Sequence, residues 1–407
     1  MATITRIYNS RCLIMNFGEH ERNVRYNDKV KYMSNNAEYN LDRKLEEEYA
    51  KVKESVQKAN VLIAGATGVG KSSVINMVFG DNVAVVGTGK PVTQKIDVYE
   101  SDGSDVRIFD SKGYEIGTEA DDEFYQSVIK LAEMTQTPEN AIHLIWYCIA
   151  SSGGRVQDYD LAALEAFSKS NIPVAVVFTK ADIASDDEVA AMKAVLPDAL
   201  KECVFETTTK MPEHNHLQEL IQWSIERLPE SLRFAFIKSQ NVDLDAKRKQ
   251  ARSYIRLQCA AAFGVGFAPI PMSDAPLLVA KEMALIARIL YLYDLGSVSD
   301  MIKSMGVSSL LGSLLTSLGK SAVANLIKLI PGVGTIVGGM ISGGVGSTIT
   351  AAVGEATSIT AYSISKARLN GEYSKADEMI KNFGPAMMNL ASEWIKNGKK
   401  AEDIPEE

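Results

Sequence analysis

The stretch GATGVGKSS, Gly65 to Ser73, has the spacing of a phosphate-binding loop. Two glycines with four residues between them are followed at once by Lys71 and Ser72, which is the pattern G-x-x-x-x-G-K-[ST]. An apolar run at 61–64 precedes the loop, and residues 73–79 after it are typical of a helix. This strand–loop–helix context favours nucleotide binding over a glycine-rich turn that fits the pattern by chance.

The residue types of this loop suit the binding of phosphate. Its glycines permit backbone angles that a Cβ would forbid, so that successive N–H groups can face an anion. The N-terminus of the following helix adds its free N–H groups and its dipole. We expect Lys71 to reach the β- and γ-phosphates and the Ser72 hydroxyl to bind Mg²⁺. The predicted phosphate-loop residues are Gly65, Thr67, Gly68, Val69, Gly70, Lys71, Ser72 and Ser73.

Composition bounds the class of protein. A chain of 407 residues is too long for a single ordinary hydrophobic core and suggests two or three domains. The 46% apolar and 23% charged fractions are typical of globular domains. A net charge of −8 argues against a dedicated nucleic-acid binder. The four cysteines are far apart and the N-terminus lacks the apolar core of a signal peptide, so we expect reduced thiols and a cytoplasmic location.

From residue 61 strands and helices alternate, which predicts a mostly parallel sheet with helices on both faces. Ligands of such sheets bind at the carboxyl ends of the strands. The punctuated stretch 87–94 is expected to be a mobile loop. Strands are predicted at 61–65, 95–100, 106–110, 143–149, 173–179 and 202–207, and helices at 37–57, 121–134 and 158–168. The apolar stripe of the first helix, which includes Leu45 and Tyr49, is expected to pack beside the nucleotide domain.

Two strand ends carry groups for phosphate and metal chemistry. Asp110 follows the strand at 106–109 and is placed to hold Mg²⁺ through water, and the N–H of Gly113 could meet the γ-phosphate. Thr93, in the 87–94 stretch, is the expected second Mg²⁺ ligand. Each of these, taken singly, is more often a surface turn. Their order and distances after a phosphate loop argue against coincidence.

The strand ends further along carry a predicted base-binding edge. After 173–178 comes Thr179-Lys180-Ala181-Asp182, and a carboxylate here can accept both N1–H and the exocyclic amine of guanine. Lys180 would lay its aliphatic stem along the purine. Thr207 and Thr208 stand where a hydroxyl-rich loop would close over the base.

GATGVGKSS, Thr93, DSKG at 110–113 and TKAD at 179–182 together resemble the ordered motifs of translation-factor-related, Era- and septin-like P-loop GTPases. The resemblance covers about residues 58–228 and implies Mg²⁺-dependent binding of GTP, with slow hydrolysis to GDP. Three positions depart from it: Thr179 replaces an asparagine, Tyr114 stands where Ras-like members carry the water-orienting glutamine, and Gly68 replaces the asparagine of potassium-assisted relatives.

Arg155, on a glycine-rich loop after the strand at 143–149, could supply the missing transition-state charge, either in cis or across a nucleotide-dependent homodimer. The alternative is a solvated surface arginine. The residues assigned to catalysis are Lys71, Thr93, Gly113 and Arg155, and those assigned to the metal are Ser72, Thr93 and Asp110.

Beyond about residue 230 the strands stop. One long helix is predicted at 233–256 with a basic end, another at 274–293, and one amphipathic helix at 376–397, while 399–407 is expected to be disordered. Neither 257–273 nor 329–354 contains a charged residue. The second stretch is long enough to span a bilayer but is rich in glycine. Both a tightly packed helical core and peripheral membrane contact through 245–273 and 329–354 stay open.

Residues 268–276 and 329–339 resemble the YcjF-type helical domain of unknown function that follows many bacterial Era-like GTPases, and the layout is similar to that of immunity-related GTPases. The predicted fold is an α/β P-loop GTPase domain with a mostly parallel sheet, followed by an all-α domain. The boundaries are 1–57, 58–230, 231–370 and 371–407. The expected function is that of a slow GTPase acting as a switch or assembly factor. A membrane-associated GTPase that self-assembles is the alternative.

Overall fold

A seven-stranded sheet forms the first half of the protein in the computed structural model. The model describes residue 43 and residues 45–80, 90–93, 96–100, 104–111, 141–210, 215–265, 275–295 and 343–405. The strands are β1 (Ala59–Ala64), β2 (Lys90–Thr93), β3 (Ile96–Tyr99), β4 (Val106–Ser111), β5 (Leu144–Ala150), β6 (Val174–Thr179) and β7 (Val204–Thr207).

The strand order is β2-β3-β4-β1-β5-β6-β7, and the run from β4 to β7 is parallel throughout. Every residue of β1 and β6 is buried, so both faces of the sheet are covered. This burial explains why these strands are continuous apolar runs in the sequence. The prediction of a mostly parallel sheet is confirmed, because among the described strands the antiparallel pairs are β2–β3 and β3–β4, and the other four pairs are parallel.

The strand β2 corrects one expectation. Residues 87–94 were expected to form a mobile loop, but Lys90–Thr93 pairs with β3 at the edge of the sheet. The ladder is irregular between Pro91 and Thr93. Proline lacks the N–H that a central strand would need, and an edge strand tolerates it.

The helices of this half lie before, between and after the strands: α1 at 45–55, α2 (Lys71–Phe79), α3 (Asp158–Ser168), α4 (Asp186–Ala194) and α5 (Leu217–Arg227). Helix α3 has the predicted bounds. The helix predicted at 121–134 lies outside the described residues. The expectation that the apolar stripe of α1 packs beside the nucleotide domain is wrong for its described residues Leu45 and Tyr49, which pack on the helical half. Leu45 belongs to the core of the helical half, and the Tyr49 ring meets the Tyr291 ring edge-on at 5.1 Å.

The helical half contains α6 (Glu230–Ser239), α7 (Leu244–Val265), α8 (Ala275–Leu292), α9 (Gly343–Leu369), α10 (Tyr373–Lys381) and α11 (Phe383–Lys396). The single helix predicted at 233–256 is wrong, because the chain turns between α6 and α7. The Gln240 amide nitrogen donates to the carbonyl of Asp243 at 2.7 Å, and its Oε1 accepts from the N–H of Val242 and of Asp243 at 2.8 and 2.7 Å. These bonds replace the helical ones.

Helix α9 is the centre of this half, with α7, α8 and α11 packed on it. A Cβ at Gly354 would lie 2.7 Å from Cγ1 of Ile255, so glycine allows α7 and α9 to approach closely. Of the apolar segment 329–354, the described part at 343–354 therefore belongs to a packed helix. Residues 296–342 lie outside the described residues. Within the described ranges, no helix combines the length and apolarity needed to cross a membrane.

The C-terminal region differs from the sequence prediction in two places. The helix expected at 376–397 is two helices that meet at Asn382, because Pro385 has no N–H to donate to the preceding turn. The tail at 399–407 was expected to be disordered, yet Ala401–Asp403 forms a short 3₁₀ helix. Ile404 is buried in the helical core and Arg256 donates to the carbonyl of Pro405 at 2.7 Å.

A buried carboxyl group lies between α8 and α9. Thr350 Oγ1 donates to Glu282 Oε1 at 2.7 Å, whereas Glu282 Oε2 is buried and has no hydrogen-bond partner among the described residues. Burial raises the pKa of Glu282 from 4.5 to about 7. Such a group is favoured in its protonated form in the folded protein.

This carboxyl group should make folding stability depend on pH. The folded pKa is raised, so the folded state binds the proton more tightly than the unfolded state does. The resulting stability is full below the unfolded pKa of 4.5 and is lost as the pH rises through about 7. Its upper limit is about 3 kcal/mol. In urea unfolding near pH 5 and near pH 8, Glu282→Gln should narrow the difference in unfolding free energy between the two pH values. The control Glu54→Gln, at an exposed position, should leave it unchanged.

Candidate nucleotide-binding site

The phosphate-loop segment lies between β1 and α2 and requires glycine at two positions. Gly65 has φ +136°, and a Cβ there would lie 2.2 Å from the carbonyl oxygen of Cys148 on β5. Gly70 has φ +109° and stands at the N-cap of α2, where its carbonyl accepts from the N–H of Val74 at 3.1 Å. The loop therefore turns sharply and directs the N-terminus of α2 towards its concave side.

Lys71 lies beneath this loop and is 8% exposed. Its Nζ donates to the carbonyls of Gly65 and Ala66, each at 3.0 Å. Burial lowers the pKa of Lys71, and the nearby Asp110 carboxylate opposes that shift. The ammonium group is thus held at the base of the loop by backbone oxygens that phosphate oxygens could replace.

Asp110 and Ser72 occupy the neighbouring edge of the site. Asp110 is the register partner of Ile63, so the end of β4 reaches the start of the phosphate loop. Ser72, in the first turn of α2, is exposed. A hydroxyl and a carboxylate are the oxygen donors that Mg²⁺ prefers, so these two residues fit the predicted metal. Thr93 ends β2, but its side chain lies outside the described residues, as does Gly113.

Thr179 links three segments at the site. Its Oγ1 lies within hydrogen-bond distance of the Val69 carbonyl, and the carbonyl of Ile149 on β5 is 3.3 Å away. The hydroxyl therefore ties the end of β6 to the phosphate loop, although the related motif carries an asparagine here. Lys180 has φ +54°, and its Nζ donates to the Gly68 carbonyl at 2.8 Å, so its side chain crosses from β6 to the loop.

Asp182 is held as a carboxylate at the end of this edge. Its Oδ1 accepts from Thr208 Oγ1 at 2.6 Å, and its Oδ2 lies 3.7 Å from Lys210 Nζ. The Thr208 hydrogen bond is the main cause of the lowered pKa of Asp182. Lys210 was not identified from the sequence. Its position directly after the Thr207-Thr208-Thr209 run is the one signal that could have found it.

The loop and the carboxylate edge line the same cavity of about 370 Å³. Its wall combines Gly70 and Ser73 at the start of α2 with Lys180 and Asp182 after β6 and with Thr207 and Thr208 after β7. Residues more than a hundred positions apart in the sequence are thus brought to one opening. Arg155 is exposed and is not among the residues that line this cavity.

A glycine loop over a buried lysine, at the carboxyl edge of a parallel sheet, defines a P-loop nucleotide-binding domain. The family model of the 50S ribosome-binding GTPases matches residues 60–180. The probable GTP-binding protein EngB of Aquifex aeolicus (strain VF5) is 30% identical over 130 residues, which are 32% of this chain and 70% of the relative. The chain belongs to this EngB-related family of P-loop GTPases, and its enzymatic class is that of a GTP hydrolase.

Two solved structures of GTP-binding proteins align with part of this chain. A crystal structure of a probable GTP-binding protein EngB aligns with 42% of this chain and 98% of its own, with a TM-score of 0.31 and 16% identity. A variant of Era from Aquifex aeolicus bound to GDP and aluminium fluoride aligns with 51% of this chain and 68% of its own, with a TM-score of 0.32 and 21% identity.

Proposed function

We propose that this protein binds GTP with Mg²⁺ in the cavity between the phosphate loop and Asp182, hydrolyses it slowly to GDP, and uses the nucleotide state to control its helical half. The observation that supports this most is that Gly70 and Ser73, which flank Lys71 and Ser72 at the phosphate loop, line one cavity of about 370 Å³ together with Asp182 at the base edge. Phosphate and base would then be bound by groups of opposite charge.

The phosphates would be bound by the loop and by Lys71. The ammonium group would exchange the carbonyls of Gly65 and Ala66 for phosphate oxygens. Phosphate oxygens carry negative charge whereas the carbonyls are neutral, so the ammonium group bonds phosphate more strongly and the exchange favours binding. Mg²⁺, when bound, would neutralise phosphate charge, and Ser72 and Asp110 are the described residues that would hold it.

The base would be selected by Asp182. Its two oxygens can accept from the two N–H donors on the guanine edge, and adenine offers no such pair. Thr208 and Lys210 already hold the carboxylate in place and in its ionised form. A carboxylate that is oriented before the ligand arrives loses less entropy on binding.

Hydrolysis should be slow, because the chain has Tyr114 at the position of the water-orienting glutamine of Ras-like members and Gly68 at that of the potassium ligand. We expect a rate near that of unassisted Ras, on the order of 10⁻⁴ per second. Release of inorganic phosphate from GTP in Mg²⁺, with an EDTA control, tests the proposal. Absence of release in Mg²⁺ would refute the hydrolytic function.

The exposed Arg155, on the loop after β5, would add charge from a second copy of the chain. Turnover per molecule should rise with protein concentration, by at least about tenfold over about a hundredfold range, and Arg155→Ala should flatten that rise at unchanged GTP affinity. Lys169→Ala is the matched control, since Lys169 is an exposed cation beyond the far end of α3. A specific activity that stays constant with concentration and is equal in the wild type and Arg155→Ala would refute a role for both the dimer and Arg155 in hydrolysis.

Self-assembly on membranes is supported less well by the described residues. Two of the basic side chains in 247–256 point into the core: Lys247 donates to the Lys238 carbonyl at 2.8 Å, and Arg252 pairs with Glu355 at 3.3 Å. These two cannot attract anionic lipid, so the basic segment offers less charge than its sequence suggests. Sedimentation with anionic liposomes, in GDP and in a non-hydrolysable GTP analogue, separates the two functions.

A further inference from the structure

The C-terminal end of α6 contacts two elements that also reach the nucleotide site. Helix α2 begins at Lys71, and near its other end the carbonyl of Val78 accepts from the N–H of Asn241 at 2.8 Å. Strand β4 carries Asp110 near its carboxyl end, and just before its first residue the N–H of Asp105 donates to Ser239 Oγ at 3.0 Å. The far ends of both elements therefore meet the helical half at one place.

A polar cluster stands at this place, which we name the junction cluster: Asp105, Lys238 and Tyr291 are buried in it, and Asp294, 61% exposed, lies at its rim. The Tyr291 hydroxyl donates to Asp105 Oδ2 at 2.7 Å. Lys238 Nζ lies 3.6 Å from the same oxygen and 3.4 Å from Asp294 Oδ1. The side chains of Lys238 and Asp105 are only 2% and 7% exposed, so their charges depend on one another.

Aromatic packing fixes the tyrosine of this cluster. The Tyr291 ring stacks on Phe234 of α6 at 6.3 Å and meets Tyr49 of α1 edge-on, while Lys238 Nζ lies 4.8 Å from its centroid. The ring therefore cannot follow a moving partner easily. A buried polar group that loses its hydrogen bond is costly, so a displacement of β4 that separates Asp105 from Tyr291 would destabilise this arrangement.

We propose that the junction cluster is the route by which the nucleotide state of the phosphate loop reaches helices α8 and α9. The inference rests on the proposed GTPase switch and assigns its regulatory contact. Strand β4 spans about 20 Å, at about 3.3 Å per residue, and its backbone connects Asp110 to Asp105 directly. A change at Asp110 would move Asp105 against Lys238 and Tyr291, and through Tyr291 it would alter α8.

Amide hydrogen exchange tests this route in the full chain. Peptides from α8 and α9 are compared in GDP and in a non-hydrolysable GTP analogue, both with Mg²⁺. In the wild type we expect a reproducible difference in exchange between the two nucleotides. Tyr291→Phe removes only the hydroxyl that bonds Asp105 and should reduce this difference to less than about a quarter, with both nucleotide affinities changed by less than about threefold.

Tyr293→Phe is the matched control, because the Tyr293 hydroxyl lies 3.3 Å from Ser358 Oγ inside the helical half. This control should keep the wild-type difference. If circular dichroism shows that Tyr291→Phe is unfolded, Asp294→Asn replaces it. Asparagine tolerates the φ of +50° found there, and we expect the difference to fall by at least about half.

The outcomes separate this inference from the function on which it rests. A Tyr291→Phe protein that keeps the full nucleotide-dependent difference overturns the route. A wild type that binds both nucleotides without any difference in α8 and α9 overturns the route and leaves GTP binding intact. A wild type that binds neither nucleotide refutes the proposed function and, with it, the route.

Discussion

Lys71→Ala should abolish measurable binding of GTP. Lys71 is the cation beneath the phosphate loop, and its Nζ is already positioned by the carbonyls of Gly65 and Ala66. Hydrogen bonds to charged groups contribute about 1.5–3 kcal/mol each, and the loss of two such bonds to phosphate should weaken binding at least about a hundredfold. Titration with a fluorescent GTP analogue measures the effect. Retained micromolar affinity would refute the assignment of the site.

The same substitution should leave the fold intact. Burial lowers the pKa of Lys71, which means that its charge is costly to keep in the ligand-free protein. Alanine removes that cost together with two hydrogen bonds to the loop carbonyls of Gly65 and Ala66. We therefore expect an unfolding midpoint close to that of the wild type without nucleotide. Lys201→Ala, which removes a surface lysine paired with Asp198, is the control for a general loss of positive charge.

The sheet could be predicted from the sequence because its buried strands are continuous apolar runs. Every residue of β6 is buried, and a short apolar run rich in β-branched residues is typical of a strand that is covered on both faces. The phosphate loop and the TKAD segment could be placed because each directly follows one of these strands. The edge strand β2 was missed, since an edge needs fewer apolar residues and Pro91 there looked like a loop residue.

The helical half was harder to predict from the sequence, because the positions at which its helices end depend on single side chains. Gln240 turns the chain by bonding its own neighbours, and a periodicity that runs through it gives no sign of this. Ile404 is buried although the residues around it are charged, because the tail meets α7 through the Arg256 contact with Pro405. The junction cluster is equally hidden, since Asp105 and Tyr291 are 186 positions apart.

Asp182→Asn should reverse the choice of base. The carboxylate accepts twice, whereas an asparagine amide accepts once and donates once. Xanthine offers an acceptor where guanine offers its exocyclic amine, so the variant should prefer xanthosine triphosphate. A site built to bond one set of donors rejects the mismatched set by about two orders of magnitude or more. Asp187→Asn, at an exposed position on α4, is the matched control and should leave the preference for GTP unchanged.

One set of titrations tests most directly the claim that a guanine nucleotide lies between the phosphate loop and Asp182. The wild type and Asp182→Asn are each titrated with GTP, xanthosine triphosphate and ATP in Mg²⁺. We predict that the wild type binds GTP most tightly and ATP at least about a hundredfold more weakly, and that the variant exchanges its preference to xanthosine triphosphate. Equal binding of ATP and GTP by the wild type, or unchanged GTP affinity in the variant, would contradict the account.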